Sequence, residues 1–260
     1  MSRRVPDREY LPPVDRIRLK FAKRGRLRFA SHRDFQRAFE RALRRAAVPM
    51  AYSAGFSPHP KISYANAAPT GAGSEAEYLE IGIMDRIDPD RLAQAIDRSL
   101  PTGFDIVDAV RVGAGDFASR LEASVWQLVL PGVPAAAGVA AVEALLAQET
   151  VTVQRMTKKG LRTFDIRPAL VAARCTPAGD GCAILTLVVR HGTPSVRPDD
   201  VLVGLSQVAA LAPPAPPQVT RLAQGPLAAD QFSVTDPFAP DRAAGAPSGA
   251  GGHGSDRQLA

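Results

Sequence analysis

Residues 16–46, RIRLKFAKRGRLRFASHRDFQRAFERALRRA, hold a strand pattern that is followed directly by a helix pattern. Ile17, Leu19 and Phe21 alternate with basic residues, and this period of two predicts a strand with one apolar face. Residues 26–29 repeat the alternation after a glycine, so they are predicted to extend the strand beyond a turn or bulge. This stretch therefore predicts a fold in which a sheet and helices share one core.

The helix that follows has a clear start and a clear end. Ser31 is a favourable N-cap, and Asp34 three residues later approaches a capping box. Val48-Pro49 ends the pattern, because the residue before a proline avoids the helical conformation. Apolar residues at helical spacing predict a buried stripe, which consists of Phe35, Ala38, Phe39, Ala42, Leu43 and Ala46.

Beyond this helix the patterns alternate in the order β-α-β-β-α-β, which is the ferredoxin-like order. A second helix is expected to begin at Asp88-Pro89, an N-cap followed by a proline in the first turn, and to end before Pro101. The remaining strands are expected at residues 50–53, 77–84 and 104–112. We therefore predict a first ferredoxin-like unit over residues 15–113.

The order of patterns repeats in the second half and predicts another ferredoxin-like unit over residues 122–225, with an insert around residues 158–175. Its strands are expected at residues 125–130, 151–156, 183–190 and 218–223, and its helices at 139–146 and 198–211. The predicted fold class is α+β, with two tandem units built on antiparallel sheets. Residues 1–14 are predicted to be a disordered leader and residues 228–260 a disordered tail.

Charge is distributed unevenly along the chain. Residues 1–61 hold 16 of the 32 Lys and Arg residues but only 5 of the 26 Asp and Glu residues. A local excess of this size is typical of surfaces that bind polyanions, acidic proteins or membrane headgroups. A solvated basic face without a partner is the alternative.

Several functional classes are excluded or disfavoured by composition. The chain has 260 residues, 45% of them hydrophobic and 22% charged, which is typical of a soluble globular protein. It has neither a secretory signal pattern nor a transmembrane stretch, so a cytoplasmic location is predicted. Its 2 Cys and 4 His residues lack the spacing of a metal centre, and we expect neither a metal nor a cofactor.

The first candidate site is the polar side of the predicted helix. Arginines recur there every four residues, and such like-charge pairs disfavour an isolated helix by about 0.2–0.5 kcal/mol each. Arginine suits phosphate because its planar fork bonds bidentately, although the chain uses arginine as its main cation throughout. The row consists of Arg33, Arg37, Arg41 and Arg45 with Arg44 beside it, and the predicted nucleic-acid contacts are Arg37, Arg41, Arg44 and Arg45.

The second candidate site is the loop YSAGFSPHPKIS, residues 52–63. Its aromatic side chains could stack on bases, while its lysine and hydroxyl groups could bind phosphate. A purely structural connector is the alternative interpretation. The start of the preceding helix adds N–H groups that favour an anion. The predicted contacts in these two places are Ser31, His32, Tyr52, Ser53, Phe56, His59, Lys61 and Ser63.

Residues 16–63 and the segment Asp165-Ile166-Arg167-Pro168 resemble a family of uncharacterised bacterial domains called radical SAM-linked, and the resemblance extends over about residues 15–210. Members of that family are either fused behind a cobalamin-binding radical SAM domain or encoded separately near one. Their neighbours often include an E/G-type ribonuclease and ribosomal proteins. The chain has no CxxxCxxC motif, so the resemblance implies a stand-alone member with a separately encoded radical SAM partner.

The sequence and the resemblance together suggest an accessory protein that binds ribosomal or transfer RNA. It would present this RNA to the radical SAM enzyme during RNA modification or ribosome-linked RNA processing, with no catalytic residue of its own. One alternative is an RNA endonuclease that uses His32 and His59 as acid and base. A pure protein–protein adaptor is the other alternative.

Overall fold

The computed structural model describes residues 11–54, 56–113, 115–158, 160–179 and 181–245. Within these residues the chain forms ten strands and five α-helices, which confirms the predicted mixed α+β class. The strands are β1 (Asp15–Lys23), β2 (Ile62–Ala65), β3 (Gly73–Ile83), β4 (Phe104–Arg111), β5 (Ala123–Leu130), β6 (Thr152–Thr157), β7 (Gly160–Asp165), β8 (Leu170–Pro177), β9 (Ala183–Arg190) and β10 (Gln218–Gly225). The helices are α1 (His32–Arg45), α2 (Pro89–Asp97), α3 (Ala135–Leu146), α4 (Pro198–Ala209) and α5 (Ala239–Gly245).

Eight of these strands form one mostly antiparallel sheet in the order β4-β1-β3-β10-β5-β9-β8, with β2 paired to β3. The long strand β3 has two neighbours on the same edge. Its second half pairs with β2 through residues 78–81, and its first two residues pair in parallel with Thr220 and Arg221 of β10. This parallel contact joins the two halves of the chain into a single sheet.

The first predicted helix forms as expected. Ser31 caps α1, and both hydrogen bonds of the capping box with Asp34 are present. The predicted apolar stripe is buried apart from half-buried Ala46, and the Phe35 ring stacks on Phe21 of β1 at a centroid distance of 4.0 Å. The apolar face of β1 therefore meets the apolar face of α1, as the two periodicities predict.

Two local predictions in the first half are wrong. Residues 26–29 are not a strand but belong to a 3-10 helix, Gly25–Phe29, because Gly25 turns the chain with a φ of 54°. Residues 50–53 form only isolated bridges, Met50 to Ile83 and Tyr52 to Pro60, and the strand here is β2. In both places a short apolar alternation fits a turn or a bridge as well as a strand.

The predicted strand at residues 151–156 is in a different sheet from the one expected. Strand β6 pairs only with β7, and the two form a separate hairpin. Strand β8, which falls mostly within the predicted insert of residues 158–175, takes the place beside β9 in the main sheet. The insert is therefore the hairpin itself, residues 152–165.

The prediction of a disordered tail from residue 228 is wrong for residues 228–245. This segment packs on the face of β1, β3 and β4 that is opposite α1, where Phe238 is fully buried against Tyr78 and Phe117. The 7-residue helix α5 follows, and its Asp241 is also buried. Residues 246–260 of the predicted tail, and residues 1–10 of the predicted leader, lie outside the described residues.

None of the helices in the described part of the chain is long and apolar enough to cross a membrane.

Candidate nucleic-acid interface

Five arginines form an exposed surface on α1, which we call the arginine face. At 100° per residue they occupy about a third of the helix circumference, away from the buried stripe. None of them forms an ion pair in the described chain, and Glu40 remains outside every ion pair there as well. The arginine face consists of Arg33, Arg37, Arg41, Arg44 and Arg45.

Arginines elsewhere in the chain often have carboxylate partners. Eight of them form ion pairs within the described residues, mostly between strands or between the sheet and the C-terminal segment. The other ten arginines outside α1 in the described residues form no ion pair, so the distinguishing feature of the arginine face is that five such arginines share one side of one helix. The eight are Arg16, Arg18, Arg24, Arg111, Arg120, Arg155, Arg221 and Arg242.

Ser31 has a structural role as the cap of α1, in addition to its predicted contact with RNA. Its hydroxyl donates to Asp34 Oδ2 at 2.7 Å and accepts from the Asp34 backbone N–H at 3.2 Å. These bonds with Ser31, together with the charge of Arg37, hold the pKa of the Asp34 carboxyl below its usual range. The Ser31 hydroxyl therefore already has two partners in the cap.

The loop of residues 52–63 is a narrow turn with exposed aromatic side chains. Ser53 N–H donates to the His59 carbonyl at 2.8 Å, and His59 N–H donates to Ser53 Oγ at 3.0 Å. Tyr52 is 50% exposed and Phe56 is 70% exposed, so both rings are available to a partner. Gly55 lies outside the described residues.

Four predicted contacts from this loop line one depression of about 490 Å³. The structure brings Ser53, His59, Lys61 and Ser63 together there with Arg16 and Glu80. Glu80 forms ion pairs with Arg16 at 3.4 Å and with Arg18 at 3.0 Å, so part of the positive charge is already neutralised. We call this site the loop depression.

The loop depression and the arginine face lie on opposite sides of the sheet. In β3, Leu79 and Ile81 pack in the same core cluster as α1, while Glu80 lines the loop depression. Neighbouring residues of a strand point to opposite faces. Lys61 and Ser63 are consequently not on the surface that carries the arginine face.

The two histidines of the proposed endonuclease have separate surroundings. His32 lies edge-on to Tyr64 at a ring centroid distance of 4.8 Å and is hydrogen-bonded to Gln36 at 3.1 Å. His59 lines the loop depression. Within the described residues no hydrogen bond or ring contact joins His32 to His59, so nothing in this geometry favours their acting as an acid–base pair.

Sequence reasoning missed a third histidine, His191, whose ring is held at both nitrogens. Its Nδ1 is 2.7 Å from the Leu121 carbonyl oxygen, and its Nε2 is 2.7 Å from Ser124 Oγ. Burial lowers the pKa of His191, the bond to Leu121 opposes this shift, and the charge of Arg221 adds to it. The neutral ring therefore donates from Nδ1 and accepts the Ser124 hydroxyl at Nε2.

Among the described residues, no group of three or more His, Cys, Asp or Glu side chains is arranged to hold a metal ion.

These features define an α+β protein with an eight-stranded main sheet. On its surface lies a helix whose exposed arginines form no ion pair in the described chain. The chain belongs to the family described as "Uncharacterized protein conserved in bacteria (DUF2344)", whose family model matches residues 16–198. The match includes α1, the loop depression and most of the second half. No curated protein sequence matches the chain.

Proposed function

We propose that this chain is an accessory RNA-binding protein that presents RNA to a cobalamin-type radical SAM enzyme, in RNA modification or ribosome-linked RNA processing. The observation that carries the proposal is the arginine face of α1. Its five exposed arginines lie on one side of a single helix, and none of them forms an ion pair in the described chain.

The chemistry of the arginine face suits a phosphate backbone. Its positive charges repel one another along the helix, and an external polyanion relieves this repulsion. A guanidinium group can make two parallel hydrogen bonds to one phosphate, which fixes orientation as well as charge. The exposed rings of Tyr52 and Phe56 on the loop of residues 52–63 supply sequence-tolerant stacking surfaces.

Two parts of the proposal depend on other grounds. The radical SAM partner comes from the resemblance of residues 16–63 and 165–168 to the radical SAM-linked family. The strand orders β4-β1-β3-β2 and β10-β5-β9-β8 support two ferredoxin-like units fused at the β3–β10 contact. On this frame each unit could serve one partner, with RNA on α1 and the enzyme on the other half.

We expect the triple variant Arg37→Gln/Arg41→Gln/Arg45→Gln to bind RNA more weakly whatever its sequence. Each lost phosphate contact on a single strand removes about 0.7 from the slope of log K against log salt, so the slope should flatten by about 2. Fluorescence anisotropy with labelled ribosomal and transfer RNA fragments, at several salt concentrations between about 50 and 200 mM, measures both quantities.

The matched control is Arg86→Gln/Arg162→Gln/Arg174→Gln. These three arginines are also exposed and also lack an ion pair in the described chain, so the change in net charge is the same. The control should keep most of the affinity and slope. An equal loss in both variants would indicate attraction by net charge alone and would contradict a specific site on α1.

The partner half of the proposal has its own test. A tagged chain, recovered from a native lysate after ribonuclease treatment, should retain a cobalamin-binding radical SAM protein, which mass spectrometry identifies. A control partner added in known amount verifies that the measurement is sensitive enough. If that control is detected and no radical SAM protein is recovered, this half of the proposal is contradicted. RNA binding is then judged by the salt titration.

A further inference from the structure

A second cationic depression lies at the junction of the two halves, on the side of the sheet where Trp126 and Val189 face the core of the second half. It encloses about 270 Å³. Its walls come from the loop after β2, the first half of β5, the end of β9, the middle of β10 and the loop that leads into α4. We call it the junction depression.

Three arginines and no carboxylate line the junction depression among the described residues. Arg221 is buried and forms an ion pair with Glu77. Arg190 and Arg197 are exposed, and neither forms an ion pair in the described chain. Arg190 follows Val189 on β9 and therefore points to the other face of the sheet, with Val188, so its side chain is not one of the ligand-facing cations. Arg197 and Arg221 are the cationic groups that an anionic ligand could engage.

The rest of the lining is polar and already fixed in position. His191 is held between Ser124 and the Leu121 carbonyl, and Ser124 is only 1% exposed. Arg221 donates to the Asn66 carbonyl at 2.7 Å, and its guanidinium lies 5.4 Å from the Trp126 ring centroid. Side chains that are held in this way lose little conformational entropy when a ligand binds.

We propose that the junction depression binds a small phosphate-bearing molecule, no larger than a mononucleotide. Arginine is the preferred side chain for phosphate, and a volume of about 270 Å³, just below the usual range of ligand sites, restricts the ligand to a small molecule. The phosphate would lie beside Arg197 and Arg221, with the rest of the molecule against Trp126. This inference does not rest on the proposed RNA binding, because no residue of α1 lines the site.

The chain offers a direct probe of this site, because Trp126 is its one tryptophan. Inorganic phosphate, AMP and adenosine are titrated while tryptophan fluorescence is excited at the red edge, where adenine does not absorb. Phosphate and AMP should give saturable changes, and adenosine should give none. Isothermal titration calorimetry with the same three compounds detects a ligand that leaves the fluorescence of Trp126 unchanged.

Arg197→Gln should weaken AMP binding about tenfold or more, because it removes a charged hydrogen-bond donor. Arg190→Gln changes the net charge equally but lies on the opposite face, so it should keep the affinity. Both side chains are exposed, so the melting temperatures of the two variants should match that of the unchanged chain. The control Arg37→Gln/Arg41→Gln, which alters only α1, should keep full AMP affinity. Absence of phosphate and AMP binding by both methods, equal binding of adenosine, or an equal loss in the α1 control would overturn the proposal.

Discussion

Replacing Asp241 with alanine is expected to lower the free energy of unfolding by about 3 kcal/mol, since the change removes a buried carboxylate that pairs with Arg18 and Arg120 and leaves Arg18 with only the partly exposed Glu80. The Asp241 carboxylate is fully buried and accepts hydrogen bonds from Arg18 at 2.6 Å and Arg120 at 2.7 Å. The Gly113 N–H donates to the same carboxylate at 2.9 Å. Arg18 itself is only 3% exposed, so water cannot replace the lost carboxylate.

Urea unfolding at neutral pH measures this change. Asp85→Ala is the matched control, because Asp85 is exposed and makes no ion pair in the described chain; its effect should stay within about 0.5 kcal/mol. Truncation after Leu227 should be at least as damaging as Asp241→Ala, since it also removes buried Phe238. Equal stability of the truncated and full chains would show that residues 228–245 do not hold the sheet.

The pH dependence has a definite direction. Burial by itself raises the pKa of the Asp241 carboxyl, but the bonds from Arg18, Gly113 and Arg120 outweigh it and lower that pKa below its usual value. A carboxyl with a lowered pKa stabilises the fold above its unfolded pKa of about 3.9, and this contribution is lost as the pH falls through the folded pKa. The gap between Asp241→Ala and the unchanged chain should therefore narrow in acid.

Glu77→Ala is expected to have a similarly large effect, about 3–5 kcal/mol, at the junction of the two halves. Glu77 and Arg221 form an ion pair whose side chains are 6% and 3% exposed. Lys23 is buried nearby; burial lowers its pKa, while the charge of Glu77 raises it. Removal of Glu77 therefore leaves Arg221 and Lys23 buried without the carboxylate whose charge acts on both.

Glu75→Ala is the matched control two residues away on β3. Glu75 pairs with Arg24, but the two side chains are 35% and 48% exposed, so the expected loss is about 0–1 kcal/mol. The double variant Glu77→Ala/Arg221→Ala should recover part of the loss caused by Glu77→Ala, because it removes an uncompensated charge. Equal losses for Glu75→Ala and Glu77→Ala in urea unfolding would contradict a special role for the buried pair.

Features that depend on neighbouring residues could be predicted from the sequence. The N-cap at Ser31, the buried stripe of α1 and the Asp88-Pro89 start of α2 all follow from contacts within one or two turns. The alternation in β1 correctly separates Ile17, Leu19 and Phe21 from Arg16 and Arg18. Periodicity also indicates which side of α1 is exposed, and hence the arginine face.

Features that depend on distant partners were missed. Phe238 and Asp241 stand in a stretch without periodicity, and their burial depends on Phe117, Arg18 and Arg120 from elsewhere in the chain. His191 has no local motif, and its partners lie 67 and 70 residues earlier. For the same reason, the sequence predicts that Lys61 and α1 contact the same RNA, whereas the structure places them on opposite faces of the sheet.

The position of β10 in the middle of the sheet has a consequence for synthesis of the chain on the ribosome. Arg221 and its partner Ser74 on β3 are 147 residues apart, so this central strand leaves the exit tunnel well after β3 and β5. Until then, the β10-facing edges of β5 and of the first residues of β3 have no strand beside them. Open strand edges recruit other chains. The nascent protein is therefore most exposed to misassembly just before β10 emerges, and a chaperone that shields edges would act in that interval.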